Sequence, residues 1–449
     1  MKFELTKEFL QEITEKLARQ ELKEVKDELS ELHRADVAEI LEELSDEQAK
    51  IIFELFEDEE SAEILIELDD DHRETVLEDL SSQEIAEELI ENLDSDDAAD
   101  VIADLPIGKK EEVLSHIEDI EHASDIVDLL SYPENTAGGL MAKELIQVNE
   151  NWSVLRCVRE MRKQAEDVDK VYTIYVVDEN DVLKGTLSLK KLLLAPEKSY
   201  IEKIYNEKII SVKANYDDEE VANIMDKYDL IVLPVVDDLN RLIGRITIDD
   251  IVDVMKEEAM EDYNKASGIF EQVDSSDSIS TMTRARLPWL LIGLTGGIMG
   301  AQVIGLYDIE SFIELAFFTP LIAAMGGNVG VQSAAIIVQG LAGNTLGMDS
   351  LSQRLLKELG IALLNGLICS GLIMLITYML GYPSAIFLTV SISLMAVIIF
   401  AALFGTFVPL TLNKYKIDAA LATGPFITTV NDVLGLFIYF SIAKLFMNI

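Results

Sequence analysis

The sequence predicts a multidomain membrane protein: an all-α superhelical N-terminal domain, a tandem pair of small α/β domains, a connector helix and a five-helix α-helical transmembrane domain. Three observations predict it. The formal charge of −46 lies entirely in residues 1–283, because from Arg284 onward seven Lys/Arg offset seven Asp/Glu. Two different internal repeats occupy the acidic part. Five apolar segments, each near or above the ~20 residues needed to cross a bilayer, fill the neutral part.

The first 20 residues, MKFELTKEFLQEITEKLARQ, are amphipathic and charged and hold no apolar signal core, so the N-terminus is expected to be cytoplasmic. The motifs VAEILEEL (37–44), SAEILIEL (61–68) and IAEELIENL (85–93) recur at a 24-residue spacing. Each is followed by a second helical unit: SDEQAKIIFELF, DDDHRETVLEDL and DSDDAADVIADL. This pattern predicts a small helical-hairpin array with a Leu/Ile core and acidic outer faces over 1–130.

A second repeat matches TIYVVDENDVLKGTLSLKKLL (173–193) to VLPVVDDLNRLIGRITIDDIV (232–252), 59 residues apart. Each copy reads as strand, Asp-rich turn, strand and helix. The expected units cover 131–200 and 201–256. An acidic connector helix over 257–283 follows, on which Glu258, Glu261 and Asp262 share a face. Like charges at that spacing repel unless solvated or bridged by a cation.

The apolar segments cover 287–307, 315–341, 355–380, 385–412 and 419–447, within a transmembrane domain over 284–449. Arg284, Arg286, Arg354, Lys357, Lys414 and Lys416 precede the first, third and fifth. The positive-inside rule therefore places the N-terminus inside and the C-terminus outside. GLTGGIMG (293–300) reads as close helix packing through small residues. GGNVGVQSAA, after Pro320, places Asn328 and Gln332 one turn apart. With Pro409 and Pro425 it suggests broken or pore-facing helices.

Asp432 lies deep in the last segment, where a charge costs a few kcal/mol. No second acid is expected at that depth. One reading makes Asp432 part of an ion path. The other has it satisfied by neighbours such as Thr428 and Asn431, or protonated. A hydrated Mg²⁺ is held through one or two carboxylates plus water, and two copies about a two-fold axis would supply a pair. No His or Cys near Asp432 favours a softer metal. The acidic excess excludes nucleic acid as a partner and favours cations. Two cysteines form no disulfide or zinc pattern. His33, His72, His116 and His122 sit in helical context without a nucleophile motif, so no enzyme is expected. Asp308, Glu310 and Glu314 near the outer mouth either concentrate cations or are solvated.

The tandem units resemble CBS domains, the cystathionine-β-synthase type. That resemblance implies adenine nucleotide (ATP) binding through G-x-x-[ST]-x-x-D. The second copy has it as Gly244, Thr247 and Asp250, whereas the first has Lys191 in place of the acid. The whole order, with SYPENTAGGLM (131–141), PLIAAMGGNVGVQSAA (320–335) and PLTLNKYKIDAALATGPFITTVNDVLG (409–435), resembles the MgtE family of bacterial magnesium channels. The resemblance implies a homodimer in the cytoplasmic membrane, with Asp432 binding hydrated Mg²⁺ in the pore. It also implies closure by cytosolic Mg²⁺. The positions it implies for the sensor are Asp217, Glu219, Asp229, Asp250, Asp253, Glu258, Glu261 and Asp262, with Asp96 and Asp100 in the repeat domain. Two departures stand out: Asp418-Ala419-Ala420 where the family has Asp-Pro-Ala, and Val331 where it has an amide. Competing readings are a transporter of Co²⁺ or Mn²⁺, a proton- or sodium-driven transporter, and a non-transporting membrane sensor.

Overall fold

The structure, a computed structural model, describes residues 3–165, 168, 170–270, 273, 278–307, 313–343, 346, 347, 350–422 and 424–447. It divides into two compact units, Met1–Met255 and Lys256–Ile449.

In the first unit the acidic repeats fold as helical hairpins. Arg34–Glu42 and Asp46–Phe53 form one pair, and Asp58–Glu67 and Asp70–Glu78 the next. Ser45, Asp69 and Asp94 cap the second helices of successive pairs. A side-chain oxygen at such a position meets N–H groups that lack an intrahelical partner. The cap spacing is 24 residues and then 25. The extra residue is the ninth letter of IAEELIENL, and the helix absorbs it as a π turn at Ile85–Leu89 followed by a 3₁₀ turn at Ile90–Asn92. A π turn is how a helix accommodates one inserted residue. The core is a continuous stripe of buried Leu, Ile, Val and Ala, including Ile40, Leu65, Ile85, Leu89 and Ile102.

The 59-residue repeat forms two three-stranded sheets of identical order. β1 (Gln147–Asn149) pairs parallel with β2 (Ile174–Val177), which pairs antiparallel with β3 (Leu183–Leu187). β4 (Val212–Lys213), β5 (Val232–Val236) and β6 (Leu242–Thr247) repeat the arrangement. The Asp-rich turns are backbone devices. Asp178 accepts from the N–H of Asn180 and Val182, and Asp237 from the N–H of Leu239 and Arg241. The two turns join each other through Leu183 N to Asn240 O and Leu242 N to Asp181 O, both 3.0 Å.

A helix runs from Ile248 to Ser267 across the division between the units, and the next begins at Ile279. Among the described residues the second unit holds five helical segments long and apolar enough to cross a membrane: Ile279–Gly305, Ile313–Ala342, Leu351–Met379, Ser384–Lys414 and Gly424–Met447. The fourth and fifth contribute most of the buried core, with Val390, Leu394, Val397, Tyr439 and Phe440. Tyr439 OH donates to Leu315 O at 2.9 Å, so its buried hydroxyl is satisfied at the start of the second span.

A helix break is present near Pro320: the second span is two pieces, Ile313–Ala316 and Thr319–Ala342, parted at Phe317 and Phe318, with Pro320 in the first turn of the second piece. The missing N–H costs nothing there, since first-turn N–H groups have no intrahelical partner. Pro425 holds the same place in Gly424–Met447, and Pro409 lies inside an unbroken Ser384–Lys414.

Candidate ion site and acidic cluster

The membrane unit is assembled on glycine. A Cβ on Gly405 would lie 2.3 Å from Gly330 O, so the second and fourth spans touch backbone to backbone. Gly330 in turn faces Asn431, whose Nδ2 lies 1.9 Å from where a Cβ would stand. Gly327 faces the fifth span at Thr428 and Asp432, its Cβ position 3.2 Å from Thr428 Cγ2 and 3.5 Å from Asp432 Oδ1. The sequence GGNVG therefore brings the second span directly onto the carboxylate. In GLTGGIMG only Gly296 and Gly300 are used, against Thr429 and Leu436, while Gly293 and Gly297 face open space.

The alternative in which neighbours satisfy Asp432 fails. Thr428 Oγ1 donates to Gly424 O at 2.9 Å. Asn431 is 1 % exposed, with both amide atoms unpaired among the described residues. No described residue donates a hydrogen bond to Asp432. Asn431 is thus packed among helices, away from the open side. Asn328 and Gln332 lie on the exposed side of the second span, and Asp432 is half-buried beside Gly327. A carboxylate and two amides at bilayer depth are left uncovered by their own chain.

Glu358 of the third span lies at a different level from Asp432. Ser333 Oγ donates to Glu358 Oε1 at 2.6 Å, and Ser333 stands six residues along the second span from Gly327, which faces Asp432, about 9 Å at 1.5 Å per residue. Asp308 and Glu310 lie outside the described residues.

In the first unit, acids converge at the start of the helix Ser95–Asp104. Ligand oxygens of Asp94, Asp96 and Glu144 all lie within 4.8 Å of one another. Glu144 also accepts from Ser95 N at 3.1 Å and Ser95 Oγ at 2.9 Å. Buried Arg245 donates to Glu144 O and reaches Asp94 Oδ2 at 3.4 Å. Asp96 is held well above the usual carboxylate range, first by burial and then by Asp97, Asp250 and Asp94. Burial and Asp250 push Asp97 up to about 7. Burial, only partly offset by Arg73, takes Asp100 to about 7 as well. Carboxylates crowded and desolvated in this way favour a proton or a cation among them.

The expected sensor residues separate by location. Asp96, Asp100 and Asp250 converge electrostatically in the first unit. Asp217 caps the helix Asp218–Lys227 at one end, and exposed Asp229 follows its other end. The ten-residue helix between them is about 15 Å long at 1.5 Å per residue, so they cannot share an ion within one chain. Exposed Glu219 lies in that helix's first turn, and exposed Asp253 and half-buried Glu258 lie on the helix Ile248–Ser267. Glu261 is paired with Lys265 at 2.6 Å. Burial and then Asp418 raise Asp262.

The nucleotide motif turns inward. Thr247 N and Oγ1 both donate to Asp250 Oδ2, at 3.0 and 2.7 Å. A Cβ on Gly244 would meet Met141 Sδ at 2.6 Å. Asp250 belongs to the acidic cluster, which repels phosphate. A separate small cleft of about 10 Å³, room for one water, is lined by Lys170, Tyr172, Tyr175, Val232 and Arg245.

Sequence reasoning missed Asp94, Asp97, Glu144 and Arg245. The DSDD run carried a signal for the first two. Glu144 and Arg245 join only through tertiary structure, with no local pattern to mark them.

Comparison with known proteins fits this arrangement. Residues 319–442 match the family described as MgtE, divalent cation transporter; residues 32–135 match the MgtE intracellular N domain; 137–198 and 201–257 match CBS domains. The magnesium transporter MgtE of Thermus thermophilus is 37% identical over 339 residues, 75% of each chain. The chain belongs to the MgtE family. The MgtE magnesium transporter of Bacillus subtilis is 31% identical over 79% of each chain. The solved cytosolic domain of the Mg²⁺ channel MgtE in complex with ATP is similar at 33% identity and a TM-score of 0.51, covering 55% of this chain and 99% of that one. This MgtE-family chain is thus a multi-pass membrane transporter with an MgtE N domain, paired CBS domains and five membrane-length helices.

Proposed function

We propose that the protein is a Mg²⁺-selective channel that imports Mg²⁺ across the bacterial cytoplasmic membrane as a homodimer, with its acidic domains and N-terminus inside and its C-terminus outside. The observation that carries this is Asp432, half-buried beside Gly327 with no hydrogen-bond donor among the described residues, and Asn328 and Gln332 exposed on the second span. Polar groups at that depth do not face lipid. A second copy covers them and brings two Asp432 carboxylates together, enough for an ion that keeps most of its water. Mg²⁺ on the cytosolic side closes the channel by bridging acids of the N, CBS and connector segments. Swinging a gate from mostly open to mostly closed takes about 5 kcal/mol of differential binding, which several weak sites supply together.

Co²⁺ or Mn²⁺ preference is the nearest alternative, and Asp432 without imidazole or thiolate argues for the harder ion. The protein is read as a transporter with no enzymatic step. For nucleotide, the likeness to the ATP-bound cytosolic domain of the Mg²⁺ channel MgtE supports binding at the CBS pair.

The test is Mg²⁺ influx into liposomes, wild type against Asp432→Asn, with low Mg²⁺ on the cytosolic face. Flux in the wild type and none in the near-isosteric variant supports the reading. Equal flux in both overturns it. Conduction by neither would favour the membrane sensor.

A further inference from the structure

The helix Ile248–Ser267 ends in a set of contacts that the gating reading does not use. Gly268, at φ +78°, stops the helix. Gly268 N donates to Lys265 O, and Ile269 N reaches back to Asn264 O at 2.8 Å, the closing pattern of a left-handed helix end. Phe270 N then donates to Ala285 O at 2.9 Å, on the first span. At this end two backbones meet where no side chain fits. A Cβ on Gly424, at φ +49°, would lie 2.3 Å from Ala266 O, and one on Gly268 would lie 2.6 Å from Pro425 Cγ. Gly424 begins the span that carries Asp432.

Lys265 sits at the same place. Its Nζ lies 2.6 Å from Glu261 Oε1 and 2.6 Å from Asp418 Oδ2. Asp418 is held ready by Ala420 N, which donates to its Oδ1 at 2.8 Å. An ammonium in the last turn of a helix is also favoured by the helix dipole. Glu261 and Asp418 belong to different segments and repel each other. A cation between them joins the connector to the loop before the fifth span.

We propose that Lys265 is that cation, a side-chain substitute for a bridging ion, which docks the end of the connector helix onto the fifth span without Mg²⁺. The inference rests on the gating reading above and sharpens it. Bound Mg²⁺ has only to recruit the acids upstream, because the hinge end is already tethered. Both pairs are partly exposed, so each biases the docked state by about two- to fivefold. The device leans toward closure and does not lock it.

The test uses full-length protein in liposomes carrying Trp152→Phe, so that Trp289, 3.7 Å from the Cβ position of Gly268, is the one tryptophan left. Two variants are compared: Lys265→Met, and the swap Lys265→Glu with Asp418→Lys. Lys265→Met is expected to raise the Mg²⁺ needed for half-closure about two- to fivefold, with maximal flux unchanged. In Mg²⁺-free buffer it should make Trp289 more open to acrylamide quenching. The swap should restore both. Unchanged quenching, or closure at lower Mg²⁺, overturns the proposal, the second because Lys265 would then compete with the ion. The quenching arm needs neither Mg²⁺ nor flux. A wild type that ignores Mg²⁺ would therefore sink the gating reading while Trp289 still decides the tether.

Discussion

Asp432 and the acids around Asp94 pose opposite electrostatic problems. Asp432 stands without a hydrogen-bond partner among the described residues, in a helix of apolar neighbours. Asp94, Asp96, Asp97, Glu144 and Asp250 crowd one another at a helix N-terminus, with Arg245 among them. The first lacks water and partners; the second has too many like charges. Both are relieved by a cation, but with different consequences. A single carboxylate holds a hydrated ion weakly enough to release it. A crowded set gains most when an ion stays and changes the spacing of the elements that carry the acids.

The sharpest way to break that comparison is to neutralise one carboxylate at each place. Asp432→Asn should lower Mg²⁺ flux on the order of a hundredfold or more, the equivalent of about 2.8 kcal/mol. Asp96→Asn should leave flux at low Mg²⁺ intact and move only the Mg²⁺ concentration of half-closure. Flux assays over a Mg²⁺ series separate the two. Loss of maximal flux in Asp96→Asn would merge what the comparison keeps apart.

Next in size is the helix crossing behind Asp432. Gly405→Ala drives a Cβ onto a backbone carbonyl that cannot yield, and overpacking of this kind costs about 1–3 kcal/mol. Thermal melts of the purified protein should fall for Gly405→Ala and hold for Gly293→Ala, whose Cβ meets open space. Equal melts would mean that the second and fourth spans are not in contact at Gly330.

Much of this was legible in the sequence because its signals are periodic. Three copies of an apolar heptapeptide-like run gave the hairpins, and even the one irregularity, the ninth letter of IAEELIENL, is visible in the letters. The β2 and β5 strands stand where their β-branched runs put them. Asp432 was legible because one charge in an apolar run is conspicuous. What stayed hidden was pairing. Nothing local marks Arg245 as the partner of Asp94, 151 residues away, or Ser333 as the partner of Glu358. Pro320 does follow a break in the second span, whereas Pro409 lies inside an unbroken helix; only the helix boundary, which sequence places loosely, tells a first-turn proline from an interior one.

The crowded acids also predict a pH dependence of stability. In the unfolded chain, aspartates ionise near pH 4; in the fold, burial and Asp250 let Asp97 hold its proton to about 7. Between those values the folded state binds more protons than the unfolded one. Stability from this group is therefore full below about pH 4 and lost as pH rises through about 7. A cation that replaces the proton returns that stability. The rise in melting temperature on adding Mg²⁺ should be larger at pH 8 than at pH 5.5. A larger rise at the lower pH would show that Mg²⁺ binds elsewhere.

Glu358 gives the smallest expected effect and the finest test. It is a second carboxylate on a membrane-length helix, about 9 Å along the second span from the level of Asp432, and it has what Asp432 lacks, a hydroxyl donor at 2.6 Å. If a carboxylate here serves the ion because it is unpartnered, Glu358 is structural. Glu358→Gln keeps an acceptor for Ser333 and should leave flux within about twofold, under 0.5 kcal/mol. Ser333→Ala removes the donor and should cost about 1 kcal/mol of stability with flux intact. A large loss of flux in Glu358→Gln would place a second acid on the ion path. The isolation of Asp432 would then no longer explain why it is the one that conducts.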